Sequence, residues 1–274
     1  MPRFLTSDGC EIFYTDVGQG RPVVLLHAWP LSSAMWDAQA ALLARQGYRV
    51  ICHDRRGFGR SDQPWVGYGY DRFADDLAEL LNHLDLQHAT LVGFSMGSGE
   101  VARYLARHGD ARIAQAVLMA GTTPFVMRTA DNPEGVDPAV LDGLLAAIEH
   151  DKPAVLAQLC DAYFSRTQAM PPVAESARLW YLSMALQASA RAVSESARAW
   201  FSTDFRADMG AFQVPTLVLH GAEDRSVPAH LGGRAAAQAI AGSRYIEYAG
   251  ADHAIVASHR QPVEADLLAF LQSA

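Results

Sequence analysis

Gly93-Phe94-Ser95-Met96-Gly97 places one serine between two glycines, each two positions away. A serine hydroxyl is a weak nucleophile until a positioned base takes its proton. The pattern G-x-S-x-G, directly after a strand and directly before a helix, marks a nucleophile presented on a sharp turn. Small flanking residues let strand and helix approach while the turn strains the serine itself. The turn also lifts the hydroxyl to a helix N-terminus, where developing negative charge is stabilised. The same glycines could cradle a phosphate, but a Walker loop needs Gly-Lys-Ser/Thr and no lysine is present here. Gly99 is left over and reads as a helix–strand packing position.

Such a serine predicts an acid and then a histidine further along the chain. "PTLVLHG" (215–221) runs into "AEDRSVP", where Glu223 and Asp224 compete as the acid. Asp224 is preferred because its shorter side chain gives the more rigid contact. His253, in "YAGADHAIV", follows the last apolar run and completes the order serine, aspartate, histidine. His259 is its rival, but falls in the next helical stretch. His83, His88, His108 and His150 lie on or beside helices, as surface or core residues. An oxyanion hole would take backbone N–H groups from Met96 and from Trp29, in the turn "LLHAWP". His27 suits bracing that turn better than acting on substrate. No H-E-x-x-H occurs and the histidines are scattered, so no metal site is expected.

These residues need a scaffold that delivers them to one edge. Short apolar runs without alternation, at 22–28, 49–54, 89–94, 114–121, 215–221 and 243–250, read as strands covered on both faces. The opening stretch alternates around Asp8-Gly9, a hairpin turn. Between the runs lie helical patterns. In 69–86, Phe73, Leu77, Leu80, Leu81 and Leu84 share one face, and 96–108 and the tail "VEADLLAFLQ" also read as helices. Strand alternating with helix gives a doubly wound sheet, whose ligands sit at the carboxyl ends of the strands. The alternation stops at about 122 and resumes at Val214. The intervening Ala-rich sequence reads as a helical cap, 122–212, inserted into a core formed by 1–121 and 213–274.

Composition narrows the field. The 274 residues carry 22 Lys+Arg against 30 Asp+Glu, a net charge of −8, which argues against a nucleic-acid or anionic-membrane binder. Cys10, Cys52 and Cys160 fit neither a disulfide framework nor a zinc pattern, and Cys52 reads as a small buried hydrophobe. No signal-like start and no apolar run of about 18 residues is evident, so a cytoplasmic protein is expected.

"HAWPLSSAMWD", "HDRRGFGRSDQP", "LVGFSMGSGEVARYLARHG", "DNPEGVD", "TDFRADM" and "HGAEDRSVP" resemble the cofactor-free haloperoxidases of the α/β-hydrolase superfamily, also described as arylesterases or perhydrolases. The similarity spans nearly the whole chain and is weakest over 160–200. It implies a mostly parallel eight-stranded sheet flanked by helices with an inserted helical cap, and it sets Ser95, Asp224 and His253 on the family's triad and Trp29 and Met96 on its oxyanion-hole positions. It implies no cofactor, a small ester or acyl substrate, and assembly as a homo-oligomer, for which no segment identifies an interface. Some close relatives act on γ-lactams. Two departures stand out. Ala28 replaces the usual glycine of His-Gly-Trp-Pro, a strained choice if that position needs positive φ. "GADHAIV" replaces the usual Gly-Ala-Pro-His-Gly.

The expected reaction is acyl transfer from a small carboxylic ester to Ser95, followed by hydrolysis. With hydrogen peroxide in place of water, the product is a peracid, which accounts for a haloperoxidase label without haem. Pro30, with its fixed φ, stiffens the loop beside the incoming nucleophile. Trp29 and Phe94 flank the serine, and Phe125, Met127, Trp180, Met184 and Trp200 are candidates for the pocket roof. A γ-lactamase or amidase on the same triad, or a noncatalytic binding protein of this fold, are the alternatives. A dehalogenase or epoxide hydrolase would carry aspartate in place of Ser95.

Overall fold

The computed structural model describes residues 2–164 and 173–273. Residues 165–172, within the expected cap, lie outside the described residues. In chain order, strands Arg3–Leu5 (β1), Glu11–Gly18 (β2) and Arg21–Leu26 (β3) are followed by helix Asp37–Arg45 (α1), strand Tyr48–His53 (β4) and helix Tyr70–His83 (α2). Strand Ala89–Phe94 (β5), helix Met96–His108 (α3) and strand Ile113–Met119 (β6) come next. Three helices, Pro138–Tyr163 (α4), Glu175–Gln187 (α5) and Ala190–Ser202 (α6), separate β6 from Thr216–Gly221 (β7). Gly233–Ala239 (α7), Arg244–Tyr248 (β8), Ile255–Ser258 (α8) and Arg260–Leu271 (α9) close the chain.

The sheet has eight strands in the order β1-β2-β4-β3-β5-β6-β7-β8. The β1–β2 and β2–β4 pairs are antiparallel and the rest are parallel. Each expected apolar run forms a strand, and β5 and β7 are buried at every position, as strands covered on both faces must be. On α2, Phe73, Leu77, Leu80 and Leu81 are fully buried, the face their spacing predicts. Gly9, with φ +84°, closes the first hairpin.

Two helices were not expected. α1 (DAQAALLAR) and α7 (GRAAAQA) are rich in alanine, so neither carries a strong apolar stripe. In the segment read as a helical cap, α4 is kinked at Asp151 (φ −152°, ψ 81°). The Asp151 carboxylate accepts from Ala154 N, capping the second half, and Pro153 sits in its first turn, where a missing N–H is harmless. No helix among the described residues is long and apolar enough to cross a membrane.

Candidate active site

β5 ends at Phe94 and α3 begins at Met96, leaving Ser95 alone in the turn with φ +54° and ψ −118°. A non-glycine residue in this region is strained, and such strain persists only where surrounding structure enforces it. Here the enforcement is visible. A Cβ on Gly93 would lie 2.3 Å from Gly97 O, and one on Gly97 would lie 2.6 Å from Leu26 O in β3. Ser95 N donates to Met119 O on β6, while the Ser98 hydroxyl donates to Ser95 O and accepts from Thr122 N. Gly99 faces something other than a strand: a Cβ there would strike Phe205 and Tyr70, so its role is to admit the aromatic pair packed between α2 and the segment after α6.

Asp224 follows β7 and His253 follows β8, both at the carboxyl edge of the sheet. His253 Nε2 lies 2.9 Å from Ser95 Oγ, and His253 Nδ1 lies 2.7 Å from Asp224 Oδ2. Because a carboxylate only accepts, Nδ1–H donates and Nε2 is left free to accept the serine proton. Asp224 Oδ1 accepts from Ser226 N and Val227 N at 2.9 and 2.8 Å. Burial alone would raise this carboxyl, but the charge on His253 and the side chains of His220 and His253 hold it below the usual carboxylate range. The rivals lie elsewhere. Glu223 is exposed, and His259 stacks beside Tyr248 with its Nδ1 3.1 Å from Ser258 Oγ.

His27 braces the turn of Trp29. Its Nδ1–H donates to Ala28 O (2.8 Å) and its Nε2 accepts from Arg55 N (2.9 Å). Burial and the neighbouring Arg55 guanidinium push its pKa well down, which keeps the ring neutral and suits this pair of contacts. Arg55 in turn donates to His27 O and, through Nε at 2.7 Å, to Glu100 on α3, with Arg55 and Glu100 both buried. The loop carrying Trp29 and the helix that follows Ser95 are thus tied through one charged pair. Ala28 lies outside the positive-φ region, so the alanine introduces no backbone strain there. The Trp29 indole N–H donates to Val193 O on α6, fastening the loop to the helices above it.

Ser95, Met96, Trp29 and His253 line one cavity of about 330 Å³. Its walls are largely apolar, with Leu144, Leu156 and Tyr163 from α4, Tyr181 from α5 and Trp200 from α6. Phe94 and Phe125, expected at the pocket, are not among its lining residues. Phe94, the last residue of β5, is fully buried behind the His253 ring (5.5 Å between centroids) and against Trp36, so its side chain is spent on packing under the site. Phe125 is buried beneath the Arg206 guanidinium. Of the other roof candidates, Met184 is core, Met127 packs against the cluster of Leu141, Leu145, Ala197 and Phe201, and Trp180 is exposed beside a different groove.

Sequence alone did not single out Tyr163, Asp252 or His220. Tyr163 sits edge-on to His253 at 5.3 Å. Asp252, next to the histidine, is buried with Oδ1 accepting from Ala254 N and Oδ2 unpartnered; burial pushes its pKa up to about 6. His220, the penultimate residue of β7, has its Nε2 3.2 Å from Asp224 Oδ2. Its only sequence signal is its place four residues before the acid, at a strand's carboxyl end. Among the described residues, no cluster of three or more His, Cys, Asp or Glu is arranged for a metal ion.

An eight-stranded, mostly parallel sheet with a strained serine on its nucleophile turn defines an α/β-hydrolase, and the chain belongs to the alpha/beta hydrolase fold family, whose sequence profile matches residues 21–259. Within that family it groups with non-haem haloperoxidases and esterases. It is 41% identical over 277 residues to a non-haem chloroperoxidase of Kitasatospora aureofaciens, covering 99% of both chains. It is 36% identical to a bifunctional esterase/perhydrolase of Acinetobacter calcoaceticus, covering 98% of each. The crystal structure of a bromoperoxidase from Bacillus anthracis superposes with a TM-score of 0.94 at 40% identity, over 99% of this chain and 100% of that one.

Proposed function

We propose that the chain hydrolyses small carboxylic esters, aryl or short-chain, through an acyl-enzyme on Ser95. The observation that carries this is the continuous line of contacts from Ser95 Oγ to His253 (2.9 Å) to Asp224 (2.7 Å) at one wall of an apolar cavity. His253 Nε2 takes the serine proton as Oγ attacks the acyl carbonyl. The N–H groups of Trp29 and Met96 hold the oxyanion that forms. Asp224 keeps the imidazole in the tautomer that accepts and stabilises its cation, without taking the proton itself. The imidazolium then protonates the departing alcohol, and water, activated by the same base, releases the acid.

The helices of segment 122–212 act as a cap over this cavity, with Trp200 in its roof. A space of about 330 Å³ suits a small ester. Turnover of p-nitrophenyl acetate by the wild type, and a loss on the order of a million-fold in Ser95→Ala, is the expected result. Equal rates in the two would sink the assignment.

Relatives named as haloperoxidases and as a perhydrolase favour a second reaction at the same serine. Hydrogen peroxide attacks the acyl-enzyme, the ester bond to Ser95 breaks, and the products are a peracid and the free serine. The peracid passes one oxygen to bromide in solution and reverts to the carboxylic acid. Bromination of monochlorodimedone should then require both acetate and peroxide. Bromination without acetate would remove the peracid route and leave the esterase reading intact.

A further inference from the structure

Asp224 is held by more than the base it serves. Immediately before its loop, His220 is fully buried, and its Nδ1 accepts from Gly233 N at 3.1 Å. An imidazole nitrogen that accepts from a backbone N–H carries no proton, so the ring's proton sits on Nε2. That Nε2–H donates to Val227 O at 2.9 Å and lies 3.2 Å from Asp224 Oδ2, the same oxygen that His253 Nδ1 contacts. Val227 closes the circuit, because its own N–H donates to Asp224 Oδ1 at 2.8 Å. One imidazole therefore touches the acid directly and also fixes the residue that holds the acid's other oxygen.

The ring sits in a socket made for it. A Cβ on Gly233 would fall 2.6 Å from His220 Nδ1, and one on Gly232 would fall 2.8 Å from Cε1. The Gly-Gly pair before α7 is thus the complement of a buried imidazole, and Gly233 supplies the N–H that sets its tautomer. Glu247 from β8 also lies within electrostatic reach of His220, while His253 and Tyr163 approach Asp224 from the β8 loop and from α4.

We propose that His220 is a positioning residue, a neutral Nε2–H imidazole that fixes Asp224 for His253 and moderates the hold of the carboxylate on the histidine. The inference rests on the triad reading above. Without the Nε2–H, the charge of Asp224 acts on His253 less compensated and its geometry loosens. The protonated, inactive form of the base is then favoured to a higher pH, so the acid limb of kcat/KM against pH moves upward.

The test pairs His220→Leu with His220→Gln, whose amide can donate from a similar distance. In the Leu variant kcat should fall about tenfold with KM little changed, as expected for a slightly misplaced catalytic group, and the acid limb should rise by about half a pH unit. The Gln variant should recover kcat to within about threefold of wild type and return the limb towards its original position. Equal losses in Leu and Gln with an unmoved pH profile would reduce His220 to packing and overturn the proposal, as would a folded Leu variant that behaves as wild type. If the Leu variant does not fold, ¹⁵N NMR of histidine-labelled wild type at pH 8, with His220 assigned by its loss in the Gln variant, decides the matter. A neutral Nε2–H tautomer supports the proposal and an Nδ1–H tautomer overturns it. Ser95→Ala keeps the two levels separate. If it remains active, the triad reading itself fails; if it is dead while the His220 arms behave as wild type, only this inference fails.

Discussion

Asp224 and Asp252 are two buried aspartates, on adjacent loops, on either side of one histidine, yet their environments drive them in opposite directions. Asp224 meets backbone N–H groups from Ser226 and Val227 on one oxygen and the two imidazoles of His253 and His220 on the other. Asp252 has Ala254 N and, at 3.5 Å, the Ser258 hydroxyl on one oxygen and nothing on the other. Burial raises both, but only Asp224 has enough donors and positive charge nearby to reverse the effect. The difference teaches that proximity to His253 is not what makes a carboxylate its partner. The supply of hydrogen-bond donors decides which acid stays charged.

The largest break in this comparison is Asp224→Asn. It keeps the shape of the site but offers an amide to a histidine that needs an acceptor at Nδ1. By analogy with other serine triads, kcat for p-nitrophenyl acetate should fall about ten-thousand-fold. The acid limb of stability is also informative. A carboxyl held below its unfolded value stabilises the fold fully above about pH 4, and that contribution is lost as the pH falls further. Removing Asp224 should therefore flatten acid unfolding below pH 4 in a denaturation series. A loss of activity under tenfold would show that Asp224 is not the acid.

Ser95, Asp224 and His253 could be placed at one edge of the sheet from sequence because each follows an apolar run that reads as a buried strand, and G-x-S-x-G has a mechanical requirement that sequence context tests. The strained turn and its two glycines followed from the same argument. The pocket was less legible. Phe94 is next to Ser95 in sequence, but it closes the strand while Ser95 stands in the turn, and its ring packs behind the His253 imidazole. The segment between β6 and β7 carries apolar residues with no single periodic face, so Trp200 at the cavity could not be told from Phe125 beneath Arg206. Arg55 and Glu100 pair across 45 residues, a long-range contact that no local spacing encodes. His220 was hidden inside a run read for its hydrophobicity.

The comparison sharpens at Asp252. With its folded pKa raised to about 6 against an ordinary 3.8, the carboxyl costs the folded state nothing when protonated. As the pH climbs from about 4 to about 6 the unfolded chain ionises first, so stability falls across that window and stays lower above it. Asp252→Asn keeps the acceptor for Ala254 N and removes the orphaned charge. Its Tm should exceed wild type by about 2 °C at pH 8 and by less at pH 5, read by differential scanning calorimetry. A gain independent of pH, or a loss at pH 8, would mean that the unpartnered oxygen is not a penalty.

The smallest expected effect belongs to Glu223, the acid that competes with Asp224 in the sequence. Glu223 N donates to Ala251 O on the neighbouring loop at 2.9 Å, which pins the backbone with the Glu223 side chain in solvent and the next side chain turned inward. An exposed carboxylate has little leverage on a buried imidazole, because water screens it. Glu223→Gln should therefore leave kcat/KM for p-nitrophenyl acetate within about twofold of wild type, since surface substitutions away from structural contacts are nearly neutral. Measured beside Asp224→Asn, it isolates position from charge. The two variants each remove one negative charge from adjacent residues, so a general loss of negative potential would depress them alike. Equal losses would assign the effect to net charge around His253, whereas a gap of several orders of magnitude assigns it to the donors that hold Asp224 in place.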